Sequence, residues 1–222
     1  MKTTLTKTGK PRKVQQRRLE REKLIKDAAI ELLKVTDIHE LSLYDVAEKA
    51  EIPPSSLYHI YPSVDELLAG LTEQSGDIIY ELMKSIAING TFNSWRELLR
   101  LWFDAIQHHH NHCSYTSKLL LGVSGSHVLA ETKAARFSSG RQRSFELLND
   151  LFELPAMPEK VDVFNIARLI GNQIFSFSFR LEGEITDLHK EEAYLAVIGY
   201  LQNYFPRYMP RKVMPQEDEV AN

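Results

Sequence analysis

Residues 42–61 read SLYDVAEKAEIPPSSLYHIY, and their spacing decides the fold. Leu43, Val46, Ala47 and Ala50 recur at i, i+3, i+4 and i+7, the repeat of one helix face over 43–50. Ser42 stands where an N-cap belongs, with Asp45 three residues on in a capping-box arrangement. Glu51, Ile52 and Pro53 interrupt the pattern, and Pro54 suits the first turn of another short helix over 54–60. Val46, Ala47, Ala50, Ile52 and Leu57 are small or branched enough for the two helices to cross closely. That leaves Ser55, Ser56, Tyr58 and His59 facing outward, where hydroxyls and an imidazole can donate to phosphates and base edges. Two short helices joined by a tight turn are a common way to aim a helix into the major groove. The same spacing also suits an ordinary solvated helical hairpin, so on these residues alone both readings stand.

Outward from this segment the apolar spacing stays helical, and no alternating, strand-like run persists. A first helix over 16–35 sets Leu24, Ile25, Ala28, Ala29, Leu32 and Leu33 on one face. Ser63 and Glu66 open a fourth over 64–88. Trp95, Leu98, Leu99, Trp102, Phe103 and Ile106 form an apolar stripe over 94–112. Further helices are expected near 114–122, over 127–154, over 159–182 and over 187–205, with stops at Pro155, Pro158, Pro206 and Pro210.

Hydrophobic residues at 43% and charged residues at 26% suit a soluble globular chain of 222 residues. No apolar run approaches the ~20 residues that span a bilayer, so no membrane is expected as a partner. The N-terminus lacks the apolar core of a secretory signal. Cys113, the single cysteine, excludes an internal disulfide and suits a reducing compartment, so a cytoplasmic location is expected. The net charge of −3 hides a division. Residues 1–26 hold ten Lys/Arg against Glu20 and Glu22, a net of +8, so the remaining seventeen basic and twenty-eight acidic residues leave −11. A basic arm ahead of an acidic body favours a polyanionic partner, or else serves as a solubilising tail. No Gly-rich phosphate loop, nucleophile elbow or paired carboxylates at an element end occurs, so no enzyme, catalytic residue or cofactor is expected.

The stretch Lys23–Leu68 resembles the DNA-binding domain of the TetR family of repressors. The matching residues are Ile25-Lys26-Asp27-Ala28-Ala29, Ser42, Val46-Ala47, Ala50, Ile52, Leu57-Tyr58, Tyr61 and Leu67-Leu68, in register without gaps from Ser42 to Leu68. The resemblance implies a homodimer paired through its last two helices, a double-stranded DNA operator, and a divergent helical domain for a small-molecule effector. The expected fold is then all-α: a flexible basic arm over 1–15, a helix-turn-helix DNA-binding domain over 16–62, a larger helical ligand-binding and dimerisation domain over 63–210, and a flexible tail over 211–222. Carried over by position, Ser42 and Tyr44 touch phosphate, Ser55, Ser56 and His59 read bases, and Tyr58 contacts phosphate beside them. Pro54 and Tyr61 complete this surface, and Lys10, Arg12, Lys13, Arg17 and Arg18 are expected to reach an adjacent groove or backbone. Three positions depart from the family pattern. Its Gly after Ala50 is Glu51, its Ser cap on the reading helix is Pro53, and its Lys at the start of the fourth helix is Val64.

Beyond residue 90 no ligand class is legible. Trp102, Phe103, Ile106, Phe137, Phe175 and Phe179, with Tyr115, Arg168, Asn172 and Gln173, are the candidates for a pocket between helices, suited to an apolar ligand with one polar or acidic end. The same aromatics would serve equally as plain core. Ile166, Leu169, Ile170, Ile174, Phe177, Tyr194, Val197, Ile198 and Leu201 give the last two helices broad apolar faces, for core or for a dimer interface. In the run from His108 to Cys113, His108 and His112 share a helix face, as do His109 and Cys113, and each pair is a weak candidate for two metal ligands. No third or fourth ligand is evident, and histidines also suit the C-terminal end of a helix dipole, so no metal is expected. A ligand-independent DNA-binding protein, architectural or for cell division, is the alternative reading of the same fold.

Overall fold

The computed structural model describes residues 10–123, 126–159 and 161–212; the side chains of 10–14 and 136–142 lie outside that description. Nine helices follow one another among the described residues: α1 (Lys10–Leu33), α2 (Leu43–Lys49), α3 (Pro54–Ile60), α4 (Val64–Asn89), α5 (Trp95–His112), α6 (Ser114–Leu120), α7 (His127–Leu151), α8 (Val163–Glu182) and α9 (Asp187–Leu201). The fold is all-α, with one isolated antiparallel bridge between Phe152 and Arg211. The chain divides into two compact units, the first ending at Leu71 and the second beginning at Thr72.

In the first unit α1 begins at Lys10, well before residue 16, and so takes in positions assigned above to the arm. Pro11 is tolerated in a first turn, and the Arg, Lys and Gln residues that follow are good helix formers. Side-chain pairs one turn apart support it, Gln16 donating to Glu20 at 3.2 Å and Arg18 to Glu22 at 2.9 Å. The buried face of α1 is Ile25, Ala28, Ala29 and Leu33, while Leu24, at the edge of that stripe, is exposed. These residues pack in a core with Leu43, Val46, Ala47, Leu57, Leu67, Leu68 and Leu71, so the unit reaches past residue 62 into the first two turns of α4. Each Leu, Ile or Val among them contributes about 1.5–3 kcal/mol by leaving water.

The turn between α2 and α3 is set by hydrogen bonds. Ser42 caps α2, its hydroxyl accepting from the Asp45 amide at 3.1 Å and donating to the Asp45 carboxylate at 2.6 Å. At the far end the Ile52 amide donates to the Ala47 carbonyl at 3.0 Å and the Glu51 amide to that of Glu48 at 3.1 Å. This is the Schellman pattern, which requires a left-handed residue just past the cap. Glu51 takes that place at φ +54°, the one left-handed residue besides glycine among the described positions. Pro53 stands as N-cap of α3 with no side-chain bond, as the missing Ser implies, and its carbonyl accepts from Ser56 at 2.9 Å.

In the second unit the core gathers Phe92, Trp95, Leu98, Trp102, Leu148, Phe152, Val163, Phe164, Val197, Leu201 and Phe205. Trp95 is fully buried, edge-on to Phe205, with its indole N–H donating to the Pro206 carbonyl at 3.0 Å. The segment after α9 is tied down: Glu153 donates to Pro210 at 3.0 Å, Lys212 to Leu151 at 2.9 Å, and Arg211 lies over the Phe92 ring. That pairing is why α7 stops at Leu151 rather than near 154. α8 and α9 pack closely, with Gly171 leaving room for Phe103 and Val197, and Gly183 ends α8 at φ +78°.

Candidate nucleic-acid interface and cavity

α3 presents a polar face because Leu57 alone points fully inward. Pro54, Ser55, Tyr58 and His59 are exposed, Ser56 and Tyr61 half-buried, and Tyr44 of α2 is also exposed. Ser55, Ser56 and His59 share a single cleft with Arg17, Arg18 and Arg21 of α1. α1 therefore sets three guanidinium groups opposite two hydroxyls and an imidazole. Arg18 is partly neutralised by Glu22, whereas Arg17 and Arg21, one turn apart, share a face. Arg21 is absent from the candidates drawn from sequence, although its i+4 spacing from Arg17 was the available signal. Ser42 is already committed to Asp45 through its hydroxyl. Tyr61 packs its ring beside Gly70. The side chains of Lys10, Arg12 and Lys13 lie outside the described residues.

The second unit contains a cavity of about 710 Å³, within the range of small-molecule sites. Of the expected residues, Trp102, Phe103, Ile106, Phe175, Arg168, Asn172 and Gln173 line it. Tyr115 is buried elsewhere, in contact with Thr116, Ser75 and Cys113, and burial raises its hydroxyl pKa. Phe179 packs instead with Leu121, Phe175, Ile185 and Ala193. The side chain of Phe137 lies outside the described residues.

His110 also lines the cavity, and burial pushes its imidazole down to about 3, so it is neutral near pH 7. The Ser117 hydroxyl donates to the His110 carbonyl at 2.6 Å, which uses its one proton. The 3.1 Å contact between that oxygen and His110 Nδ1 is then donated by the ring. Nε2 of His110 is left as an acceptor. Of the other residues in this run, His108 and His112 stack at 4.0 Å with His112 Nδ1 on the His108 carbonyl, and Cys113 pairs with Thr116. Among the described residues no group of three or more His, Cys, Asp or Glu gathers around a common point. No described helix is long and apolar enough to cross a membrane.

Residues 25–71 match the family described as "Bacterial regulatory proteins, tetR family". Through residues 25–71 the chain carries a TetR-type DNA-binding domain. It is a DNA-binding transcription regulator with a helix-turn-helix. Solved structures of TetR-type regulators share the fold over nearly their whole length. One from Streptomyces coelicolor is 18% identical, with 83% of this chain and 99% of that one covered and a TM-score of 0.65. One from Rhodococcus sp. RHA1 is 16% identical, with coverage of 85% and 98% and a TM-score of 0.62. The multidrug-binding protein EbrR, complexed with imidazole, is 16% identical, with coverage of 88% and 98% and a TM-score of 0.59. No curated protein sequence matches the chain significantly.

Proposed function

We propose that this TetR-type regulator is a homodimeric repressor that leaves its operator when a small, largely apolar ligand enters the cavity of the second unit. The observation that carries the DNA-reading part is the shared cleft of Arg17, Arg18 and Arg21 with Ser55, Ser56 and His59. Guanidinium groups suit phosphates, whereas hydroxyls and an imidazole on α3 suit base edges. Tyr44 and Tyr58, both exposed, flank that surface as phosphate contacts. Pairing of two copies through α8 and α9 is supported by Phe177, Leu181, Leu188 and Leu195, large apolar side chains left in the open on these helices. Beside them Gly199 has open space where a side chain would stand, which allows close approach. A two-fold pair doubles the half-sites and lets one short reading helix suffice. EbrR, of the same fold, is described as multidrug-binding, which supports an effector role for the cavity.

The test is selection of genomic fragments by the purified chain, followed by binding titrations across salt concentrations. The S55A/S56A/H59A variant should lose preference for selected fragments yet keep salt-dependent binding. The R17Q/R21Q variant should keep the preference while its log–log salt slope falls by about 3.6 for the dimer, at about 0.9 for each of two phosphate contacts per protomer. If both variants bind as the parent does, the reading surface has been misassigned.

A further inference from the structure

We propose that the cavity of the second unit takes an apolar molecule bearing one carboxylate, and that Lys133 is the cation that receives it. The inference rests on reading this cavity as an effector site. Lys133 lies on α7 and lines the cavity together with Leu120, Leu121, Gly122 and Val123. Its ammonium carries three donors, and the structure supplies an acceptor for one of them, the Gly122 carbonyl at 2.9 Å. Three other cations of this unit are paired with acids: Arg100 with Glu191, Lys190 with Asp104 at 2.8 Å, and Arg143 with Asp77 at 2.6 Å. Lys133 is half-buried beside apolar side chains, and burial alone lowers its pKa, with no carboxylate acting on it.

The rest of the lining points the same way. Arg143, Arg168 and Arg180 also border the cavity, and no Asp or Glu is among its described lining residues. A cationic guest would therefore meet like charge with no counter-ion. A neutral guest would strip water from the Lys133 ammonium and return at most a neutral acceptor, which leaves the partly buried charge without a counter-charge. A carboxylate restores the lost solvation with a charge-assisted hydrogen bond. The remaining walls, among them Trp102, Phe103, Ile106 and Phe175, are apolar and receive the body of the molecule. Arg143, ten residues along α7 and so about 15 Å away, is already neutralised by Asp77. Of these two α7 cations, Lys133 is the one without an acid beside it.

Calorimetric titration of the full-length chain with dodecanoate, dodecanol and dodecyltrimethylammonium, which share one apolar body, tests this. Dodecanoate should bind at least tenfold more tightly than dodecanol, and the ammonium compound most weakly. Lys133→Met should abolish the preference for dodecanoate over dodecanol with an unchanged melting curve, and Lys133→Arg should keep most of it. Equal binding of dodecanoate and dodecanol by the parent chain, or a preference that survives Lys133→Met, overturns the assignment of Lys133 while leaving the cavity a ligand site. Binding of none of the three overturns the effector reading and this inference with it. Should Lys133→Met fail to fold, the ranking of the three compounds on the parent chain and on Lys133→Arg still decides.

Discussion

Glu51 sits where the helix-turn-helix needs a left-handed residue, and substituting it separates backbone strain from charge. Its φ of +54° is fixed by two hydrogen bonds, from the Ile52 amide to Ala47 and from the Glu51 amide to Glu48, which close α2. A side chain with a β-carbon pays roughly 1–2 kcal/mol in that conformation, and glycine pays almost none. Glycine gives back part of this by gaining freedom in the unfolded chain, leaving a net advantage of about 1 kcal/mol. Glu51→Ala removes the carboxylate but keeps the β-carbon, so it should stay within a few tenths of a kcal/mol of the parent. Glu51→Gly should be the more stable of the two by about 1 kcal/mol, a factor of about five in hydrogen-exchange protection for the amides of α2 and α3 in the intact chain. Duplex DNA should bind both variants with a similar, modest gain, because both lose the same negative charge beside a polyanion. If the alanine and glycine variants exchange at the same rate, the turn is not held left-handed at this residue and the argument from the Schellman pattern fails.

Two further outcomes follow from the core of the second unit. Trp95→Phe removes the donor to the Pro206 carbonyl and part of a fully buried ring; urea denaturation should show a loss of about 2–4 kcal/mol, and a loss under 0.5 kcal/mol would mean that the segment after α9 is not anchored there. The imidazole of His110 falls from 6.5 to about 3 on folding, chiefly through burial, so below pH 6.5 the unfolded chain takes up a proton that the folded chain refuses. Stability should drop as pH falls from about 6.5 toward 3, by up to about 1.4 kcal/mol per pH unit for one full proton, with no contribution from this group above that window. Half-buried His109, whose pKa is also lowered, chiefly by burial, adds a smaller effect of the same sign. His110→Gln should flatten the acid limb of a stability–pH curve; an unchanged limb would mean that His110 is protonated in the folded state.

What the sequence could reveal depended on how local the deciding physics is. α2 and α3, at seven residues each, have ends set by Ser42, Pro53 and Pro54 within the segment itself, and their expected bounds agree with the structure to within a residue. The start of α1 was hidden for the opposite reason. Arg, Lys and Gln without an apolar repeat look alike in a helix and in a coil, and only pairs such as Arg18 with Glu22 distinguish them. The end of α7 was beyond local reading, because Phe152 is drawn off the helix by a segment contributed from beyond α9.

The cavity shows the same limit at the level of single side chains. Trp95 and Trp102 lie on one stripe, two turns apart, and no periodicity tells them apart. In the fold Phe205 and Pro206 close over Trp95, whereas Trp102 gives its N–H to the Met83 carbonyl at 2.9 Å and turns an edge to the cavity. Tyr115 and Phe179 fall outside the lining because α6 and the start of α9 claim them first. Lys133 was invisible as a site residue for a related reason: in sequence a lysine between Thr132 and Ala134 reads as a solvated helix position. Its meaning comes only from what surrounds it, apolar walls, one carbonyl and no acid. Positions that read a common partner such as DNA are therefore legible from local pattern. Positions that choose an individual ligand are legible only from the company that folding gives them.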